Sequence, residues 1–321
     1  MRLFQNANYD FLGFRRKAYV ISAVVIAALT AGALYFQFAD DGWLNYGVDF
    51  EGGTLVQVTI ERATDVAELR DVVETVVPGS EVANFGSDNE FLVRAPAMTE
   101  AGAAVSDVLV TAMNEHYGPG QVRVDRIESV GPKIGSELQS DAAWALFWSF
   151  LATLVYLAFR FEWRFGVAAL IATLHDVLLT LLLISVLRLE VSLPTVAAVL
   201  TIIGYSLNDT IVIFDRIREN RKAIGRRMTS LELMNRSVNE TLGRTVITGG
   251  STLLALLSLF LLGGEVIREF ALILILGILI GTYSSILIGA ASLYDIERRT
   301  GESEGHHGHG RVKKEAARAA L

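Results

Sequence analysis

Six apolar stretches along the chain are each long enough to cross a lipid bilayer as a helix. A span needs about 20 apolar residues, because a helix rises about 1.5 Å per residue and the hydrocarbon core is about 30 Å thick. The predicted spans cover residues 18–38, 139–159, 165–187, 191–214, 245–263 and 270–293. With 52% of its 321 residues hydrophobic, the chain is too apolar for a soluble protein of this size. It is therefore predicted to be a membrane protein built on an all-α six-helix bundle.

Charge is distributed unevenly among the segments that join the spans. Residues 40–138 contain 18 acidic and 6 basic residues, whereas residues 215–244 contain 8 basic and 4 acidic ones. Basic segments tend to stay on the cytoplasmic side of a membrane. The N-terminal residues 1–17, the basic loop 215–244 and the tail 294–321 are therefore predicted to be cytoplasmic, and the tail disordered. The acidic segment 39–138 is predicted to lie outside.

The acidic segment has the pattern of a small α+β domain. Period-2 alternation predicts strands and 3.6-residue periodicity predicts helices. The predicted elements are a strand over 54–60, a helix over 65–77, strands over 81–85 and 90–95 joined by a four-residue turn at 86–89, a helix capped by Thr99 and ending near residue 117, and a strand over 122–130. The order βαββαβ is that of a ferredoxin-like domain.

Asp209 is a carboxylate within the fourth apolar stretch. An ionised group inside a span costs at least a few kcal/mol, so it is by default a candidate for ion or proton handling. Tyr205, Asn208 and Asp209 fall at helical i, i+3 and i+4 spacing, which predicts polar neighbours on the face of Asp209. The alternative is a structural aspartate hydrogen-bonded to a neighbouring helix.

Arg244 stands at the start of the fifth span. It can extend to the lipid headgroups or turn inward and pair with Asp209, and the residues alone leave both open. Thr248 begins a stripe with Ser251 and Thr252 that carries either a water chain or helix-packing contacts.

His175 and Asp176 lie near the middle of the third span, where they predict either a transport role or a buried interhelical hydrogen bond. Adjacent helical residues point about 100° apart, so at most one of the two faces a given partner. Asp215, at the start of an amphipathic basic helix, predicts salt bridges within that helix.

Glycine marks both junctions between the acidic segment and the spans, and predicts hinge or docking contacts there. The junction residues are Gly47, Asp49, Gly52 and Gly53 after the first span, and Gly131 and Pro132 before the second.

Motifs of hydrolytic or redox chemistry are missing from the sequence, which has neither a P-loop, a nucleophile elbow, an HExxH motif nor a cysteine. The chain is therefore predicted not to be an enzyme, and we expect no cofactor and no nucleic-acid partner. His306, His307 and His309 lie in the predicted disordered tail, which is a poor metal site, so no metal is expected.

Four segments resemble the SecF branch of the SecD/SecF family of protein-export membrane proteins. They are GVDFEGG at 47–53, IESVGPKIGSEL at 127–138, GYSLNDTIVIFDRIREN at 204–220 and NRSVNETLGRTVITGGSTLL at 235–254. SecD-like chains usually have a much larger external region and a VDAN-type segment in the fourth span. The SLNDT segment and the external region of about 100 residues here favour the SecF branch.

The resemblance implies half of a resistance–nodulation–division (RND) type transporter, with SecD as the partner that completes 12 spans. It implies a bacterial inner-membrane location with residues 39–138 in the periplasm, and use of the proton-motive force to promote late export of unfolded preproteins through SecYEG. YajC is a further candidate partner. Asp209 corresponds to the family's fourth-span carboxylate and Arg244 to its fifth-span arginine, both tied to proton passage, which favours their pairing.

Two other functions remain open. The chain can be a passive structural subunit of the complex, with all proton chemistry in SecD, or a small-molecule RND-type exporter. The single small external domain argues against the exporter, which requires larger external domains for a substrate cleft.

Overall fold

The computed structural model describes residues 4, 7–39, 42–96, 104–224 and 227–300. Within these ranges the chain forms a bundle of long helices (the helical unit) with a small sheet and two helices at one end (the α/β unit, residues 53–130). The helices are α1 (Arg15–Phe38), α2 (Val48–Glu51), α3 (Val66–Val76), α4 (Val105–Tyr117), α5 (Pro132–Arg160), α6 (Trp163–Val186), α7 (Leu193–Ile224), α8 (Ser230–Leu262), α9 (Glu265–Ser284) and α10 (Ala290–Arg299). The strands are β1 (Asn45–Tyr46), β2 (Gly53–Ile60), β3 (Glu81–Phe85), β4 (Ser87–Ala95), β5 (Val122–Val130) and β6 (Glu190–Val191).

Six helical segments of the described chain are long and apolar enough to span a membrane, as predicted. They lie in α1, α5, α6, α7, α8 and the continuous α9–α10 segment, whose helices are joined by a π-helical turn at Ser285–Gly289. The most apolar windows of α6, α7 and α9–α10 are 50% buried, against 11%, 6% and 17% for α1, α5 and α8. The first three therefore form the inner layer of the bundle, and the others pack around them.

The basic segment 215–244, predicted as a loop with an amphipathic helix beginning at Asp215, is largely helical. Helix α7 continues to Ile224 and α8 begins at Ser230, where Thr229 and Glu232 form a capping box. Arg216 Nε donates to Glu240 Oε2 at 2.7 Å, joining the two helices by an ion pair. The helices extend past the apolar stretches because their charged side chains find partners on one another.

The tail predicted over 294–321 also begins later than expected. Helix α10 runs to Arg299, and Arg221 of α7 donates to the buried carboxylate of Glu297 at 2.6 Å. Residues 301–321, including the three tail histidines, lie outside the described residues.

The α/β unit has a four-stranded antiparallel sheet in the order β3–β4–β2–β5, with the connectivity βαββαβ. Helices α3 and α4 cover one face, and Val58, Leu69, Phe91 and Met113 contribute to the core between sheet and helices. This core is separate from that of the helical unit, and α1 and α5 lead into the α/β unit through the two glycine junctions.

Two local predictions for this unit need revision. The turn between β3 and β4 was expected at 86–89, but Phe85 already pairs with Ser87, and Gly86 alone makes the turn at φ +79°. A tight glycine turn lets β4 begin three residues earlier. Thr99 lies outside the described residues, and α4 begins at Val105 after Ala104, which makes no side-chain cap.

Candidate functional site

Asp209 lies within the interface between α7 and α8 and is only 2% exposed. An alanine Cβ at Gly249 of α8 would lie 3.8 Å from the Tyr205 hydroxyl of α7, so these two positions face each other. The two helices are antiparallel, and Asp209 and Thr245 each lie one turn from that contact. Asp209 therefore faces Thr245, which is 1% exposed.

Three buried oxygen atoms in this interface have no hydrogen-bond partner among the described residues. They are Asp209 Oδ2, Thr245 Oγ1 and the Tyr205 hydroxyl. An unsatisfied buried polar group costs about 1–3 kcal/mol, and more when it is charged. Such a cost, concentrated in one helix interface within the spans, is typical of a functional site rather than a packing contact.

Arg244 lies on α8 next to Thr245 and interacts electrostatically with Asp209. Its side chain is exposed on the outer surface of the helical unit. Among the described residues, no ion pair within 4.0 Å joins Arg244 to Asp209. Asp209 Oδ2 also has no hydrogen-bond partner there. The structure thus places the predicted pair in electrostatic range without direct contact.

Asn208, which was predicted to be a polar neighbour of Asp209, does not join it. Asn208 is exposed, although Asp209 beside it is buried. The Thr248 carbonyl accepts hydrogen bonds from Ser251 Oγ at 2.9 Å and Thr252 Oγ1 at 3.0 Å, so those two hydroxyls are satisfied within α8. Asn208 instead continues an exposed stripe of α7 with Thr201 and Gly204.

His175 and Asp176 form a second polar cluster, deeper in the helical unit. His175 Nδ1 lies 2.9 Å from Asp176 Oδ1, and His175 Nε2 lies 3.1 Å from Ser22 Oγ of α1. Ser206 Oγ of α7 donates to Asp176 Oδ2. Both residues are at least nine-tenths buried. The expectation that only one of them faces a given partner holds for Ser22 and Ser206, which contact different members of the pair.

The glycine junctions are closely packed. Gly47 N donates to Val191 O at 2.9 Å, and Asp49 Oδ2 accepts from Leu193 N at 2.9 Å, which ties the first junction to the start of α7. Gly52 and Gly53 adopt φ of +78° and +128°, a region that favours glycine. A Cβ at Gly52 would lie 2.9 Å from Pro132 Cα, so the first junction also packs against the second, which Gly131 and Pro132 form.

A cavity of about 650 Å³ separates the sheet from the helical unit, and sequence patterns gave no signal for it. Arg94 of β4 donates to Glu190 of β6 across it at 2.6 Å. Burial holds the pKa of Glu190 above its ordinary range, opposed by Arg94 and assisted by the negative charges of Asp49 and Glu128. The net effect is that ionising Glu190 weakens the contact between the two units.

We therefore expect opposite effects from substituting the two partners. A raised carboxyl pKa means that the contact is most stable below the ordinary value and loses stability as pH rises through the raised one. Glu190→Gln should remove this loss and tighten the contact at neutral pH, since Arg94 keeps Glu81 at 3.6 Å. Arg94→Met should loosen the contact by about 1–3 kcal/mol, because the half-buried Glu190 carboxylate loses its partner. Hydrogen exchange at the paired strands β1 and β6 measures both, and equal effects of the two variants would contradict the prediction.

Among the described residues, no cluster of three or more His, Cys, Asp or Glu side chains could hold a metal ion. Sequence reasoning also missed Ser22 and Ser206, the partners of the His175–Asp176 pair. Serine in an apolar helix is a weak signal, because most such hydroxyls bond to their own helix.

Two family models match the chain. The model for "Protein export membrane protein SecD/SecF, C-terminal" matches residues 109–299, which include Asp209 and Arg244. The model for the "SecD/SecF GG Motif" matches residues 43–64, which include the first glycine junction.

Several relatives align over nearly the whole chain. The protein translocase subunit SecF of Gemmatimonas aurantiaca is 42% identical over 306 residues, covering 93% of this chain and 90% of the relative. That of Rickettsia rickettsii is 39% identical over 297 residues, covering 91% and 94%.

Two solved structures share the fold. The crystal structure of SecDF, a translocon-associated membrane protein from Thermus thermophilus, is 38% identical with a TM-score of 0.80, covering 93% of this chain and 40% of that one. SecDF in a Super-membrane-facing form is 37% identical with a TM-score of 0.66, covering 94% and 40%. The present chain thus spans about two fifths of the SecDF chains that it matches.

Proposed function

We propose that this chain, which belongs to the SecF branch of the SecD/SecF family of protein-export membrane proteins, uses the proton-motive force to promote late export of unfolded preproteins. SecD is the proposed partner, and SecYEG is the channel through which the preprotein leaves. The observation that carries the proposal is the buried carboxylate of Asp209, which has an unsatisfied oxygen and the charge of Arg244 nearby.

The proposed cycle has three steps, the last of which passes the movement of the helices to the α/β unit through the glycine junctions. A proton binds the Asp209 carboxylate and neutralises it, which removes its attraction to Arg244. The α7–α8 interface then repacks between two arrangements. One charge crossing 100 mV provides about 2.3 kcal/mol, which shifts a two-state equilibrium about fiftyfold.

The exposed polar stripe on α7 supports a partner in the membrane. Thr201, Gly204 and Asn208 face outward from a spanning helix, as Arg244 does from α8. The Thr201 hydroxyl donates to Ala197 O within α7, but lipid cannot satisfy the Asn208 amide or the Arg244 guanidinium. Small and polar residues are typical of contacts between spanning helices. We infer that helices of SecD cover this face and supply the other wall of the proton path.

The α/β unit is proposed to be a ferredoxin-like periplasmic domain. Its βαββαβ order supports this assignment, as does the acidic balance of residues 40–138. Both termini are then cytoplasmic, in the bacterial inner membrane. Movement of the helices reaches this domain through the packed glycine junctions, with YajC as a further candidate partner. The chain is proposed to act without hydrolytic chemistry.

The test uses vesicles that contain SecYEG, SecD, this chain and a preprotein stalled late in translocation. We expect an imposed proton gradient to complete translocation, and an ionophore that collapses the gradient to prevent completion. If translocation requires the chain but is indifferent to the gradient, the passive structural subunit is the correct function.

A further inference from the structure

A chain of hydrogen bonds connects four spanning segments through the His175–Asp176 pair. It begins at the backbone carbonyl of Ala18, which accepts from the Tyr283 hydroxyl of α9 at 3.1 Å. The Tyr283 oxygen lies 3.1 Å from Ser22 Oγ, which contacts His175 Nε2 at 3.1 Å. The chain then passes through Asp176 to Ser206 of α7.

The direction of these hydrogen bonds fixes the protonation of the pair. A carbonyl only accepts, so Tyr283 donates its single hydrogen to Ala18. Ser22 must then donate to the Tyr283 oxygen, which leaves His175 Nε2 as the donor to Ser22. Between His175 Nδ1 and Asp176 Oδ1, 2.9 Å apart, a second proton is required, because two lone pairs at that distance repel. The pair therefore holds two protons, one on Nε2 and one shared with Asp176.

Loss of the shared proton reverses the direction of one of these hydrogen bonds, the one between Ser22 and His175. The remaining ring proton then moves to Nδ1, where it bonds to the Asp176 carboxylate, and Nε2 becomes an acceptor. Ser22 has one hydrogen and must donate it to His175, so its hydrogen bond to Tyr283 is lost. Release of one proton thus changes the contacts that α1 makes with α6 and α9.

Helix α1 is well placed to change its packing when the His175–Asp176 pair loses a proton. Of its residues only Ala18, Ser22 and Ala33 are buried, and the first two of these take part in the hydrogen bonds described above. Arg15 and Tyr19 hold the start of the helix to Asp295 of α10, so the contacts at Ala18 and Ser22 are those that join α1 to α6 and α9 there. Ala18 and Ser22 lie one turn apart, and both take part in this series of hydrogen bonds. The π-helical turn that follows Ser284 also packs here, and Ser284 Oγ donates to Ala172 O of α6 at 3.3 Å. π-Helical turns within α-helices are frequent at functional sites.

We propose that His175 and Asp176 form a second proton-binding site whose occupancy sets how tightly α1 packs against α6 and α9. Because α1 leads directly into β1 and the first glycine junction, this packing also positions the α/β unit. The inference rests on the proposed function only in that its proton comes from the same flow across the membrane.

The titratable groups around the pair are few. Tyr283 is the group that α9 contributes, and α7 contributes Asp209, which lies three residues after Ser206. On α1, Tyr19 lies one turn before Ser22 but donates to Asp295 Oδ2 of α10 at 3.1 Å. The π-helical turn contributes Ser285, which does not titrate. Asp209 is therefore the group from which the pair must be distinguished.

Disulfide cross-linking can measure the packing of α1 directly. The chain has no cysteine, so an introduced pair reports without background. A Cβ at Gly32 of α1 would lie 3.9 Å from Val186 Cβ of α6, within the range of about 3.5–4.5 Å found in disulfides. The double variant Gly32→Cys/Val186→Cys is expressed as the full chain with SecD, and its oxidation rate is measured in membranes between about pH 5 and 8. The reference is the same double-cysteine variant with Ser22→Ala added, which removes the hydrogen bonds from Ser22 to His175 and Tyr283. Its oxidation rate changes with pH only through the chemistry of the thiols.

The measured quantity is the oxidation rate of the double-cysteine variant with Ser22 divided by that of the same variant with Ser22→Ala. We expect it to be about fivefold at low pH, the effect of one hydrogen bond, and to approach one as pH rises. Asp176→Asn or His175→Gln should make the ratio independent of pH, and Asp209→Asn should leave its pH dependence intact. A ratio that does not change with pH overturns the inference, as does a pH dependence that survives Asp176→Asn but is lost in Asp209→Asn. Neither outcome bears on the export test, so the proposed function can fail separately.

Discussion

Asp209→Asn is expected to abolish gradient-driven export while leaving the chain folded and bound to its partner. Asparagine has nearly the same shape as aspartate but cannot take up or release a proton. Export should fall roughly fiftyfold, the shift that one proton crossing 100 mV provides, to the level seen with the gradient collapsed. The measurement is completion of a stalled preprotein in vesicles, with and without an imposed gradient.

A second variant separates the carboxylate from its surroundings. Arg244→Met removes the charge that acts on Asp209 and should give a similar loss, because Asp209 then has no opposite charge to release. The matched control is Asp215→Asn, six residues further along α7, where the carboxylate is partly exposed and pairs with Arg160 at 2.9 Å. A partly exposed ion pair contributes about 0–1 kcal/mol, so export should be almost unchanged.

Retention of full gradient-dependent export by Asp209→Asn would show that proton coupling does not pass through this residue. Loss of export in the Asp215→Asn control would show that the defect is one of assembly. Complex formation with SecD, measured by co-purification, separates that case from a loss of coupling.

The apolar pattern was sufficient to predict the spans but not the lengths of their helices. A run of about 20 apolar residues needs a helix in lipid, since every backbone polar group must be satisfied internally. Whether the helix continues into water depends on partners that are distant in sequence, such as Glu240 for Arg216 and Glu297 for Arg221. Those ion pairs form only once the helices are packed, so no local pattern predicts them.

At the candidate site too, some features follow from nearby residues in the sequence, and others depend on contacts with distant spans. The burial of Asp209 could be predicted, because a carboxylate in a span avoids lipid. The exposure of Asn208 could not, since it depends on which side of α7 the neighbouring helices occupy. His175 and Asp176 were identified as candidates, but their partners Ser22 and Ser206 come from other spans and carry little sequence signal.

Gly135→Ala is expected to disrupt the junction between the two units. Gly135 is the fourth residue of α5, where alanine would ordinarily stabilise a helix by about 0.5–1 kcal/mol relative to glycine. Here a Cβ would lie 2.7 Å from Phe50 O and 3.0 Å from Gly52 N, which are backbone atoms of the first junction. Backbone atoms cannot move aside as a flexible side chain can, so the clash should outweigh the helix propensity by about 1–3 kcal/mol.

Gly166→Ala provides a matched control for this substitution. Gly166 is likewise the fourth residue of its helix, α6, and a Cβ there would meet nothing within 4 Å. The control should be neutral or slightly stabilising, whereas Gly135→Ala should raise hydrogen exchange in α2 and β2 and lower gradient-driven export. Because Gly135 is far in sequence from Asp209, such a loss would locate the coupling step at the contact between α2 and α5. If the two variants behave alike in exchange and export, the close approach of α2 and α5 is not needed for coupling, and movement must reach the α/β unit through α1 alone.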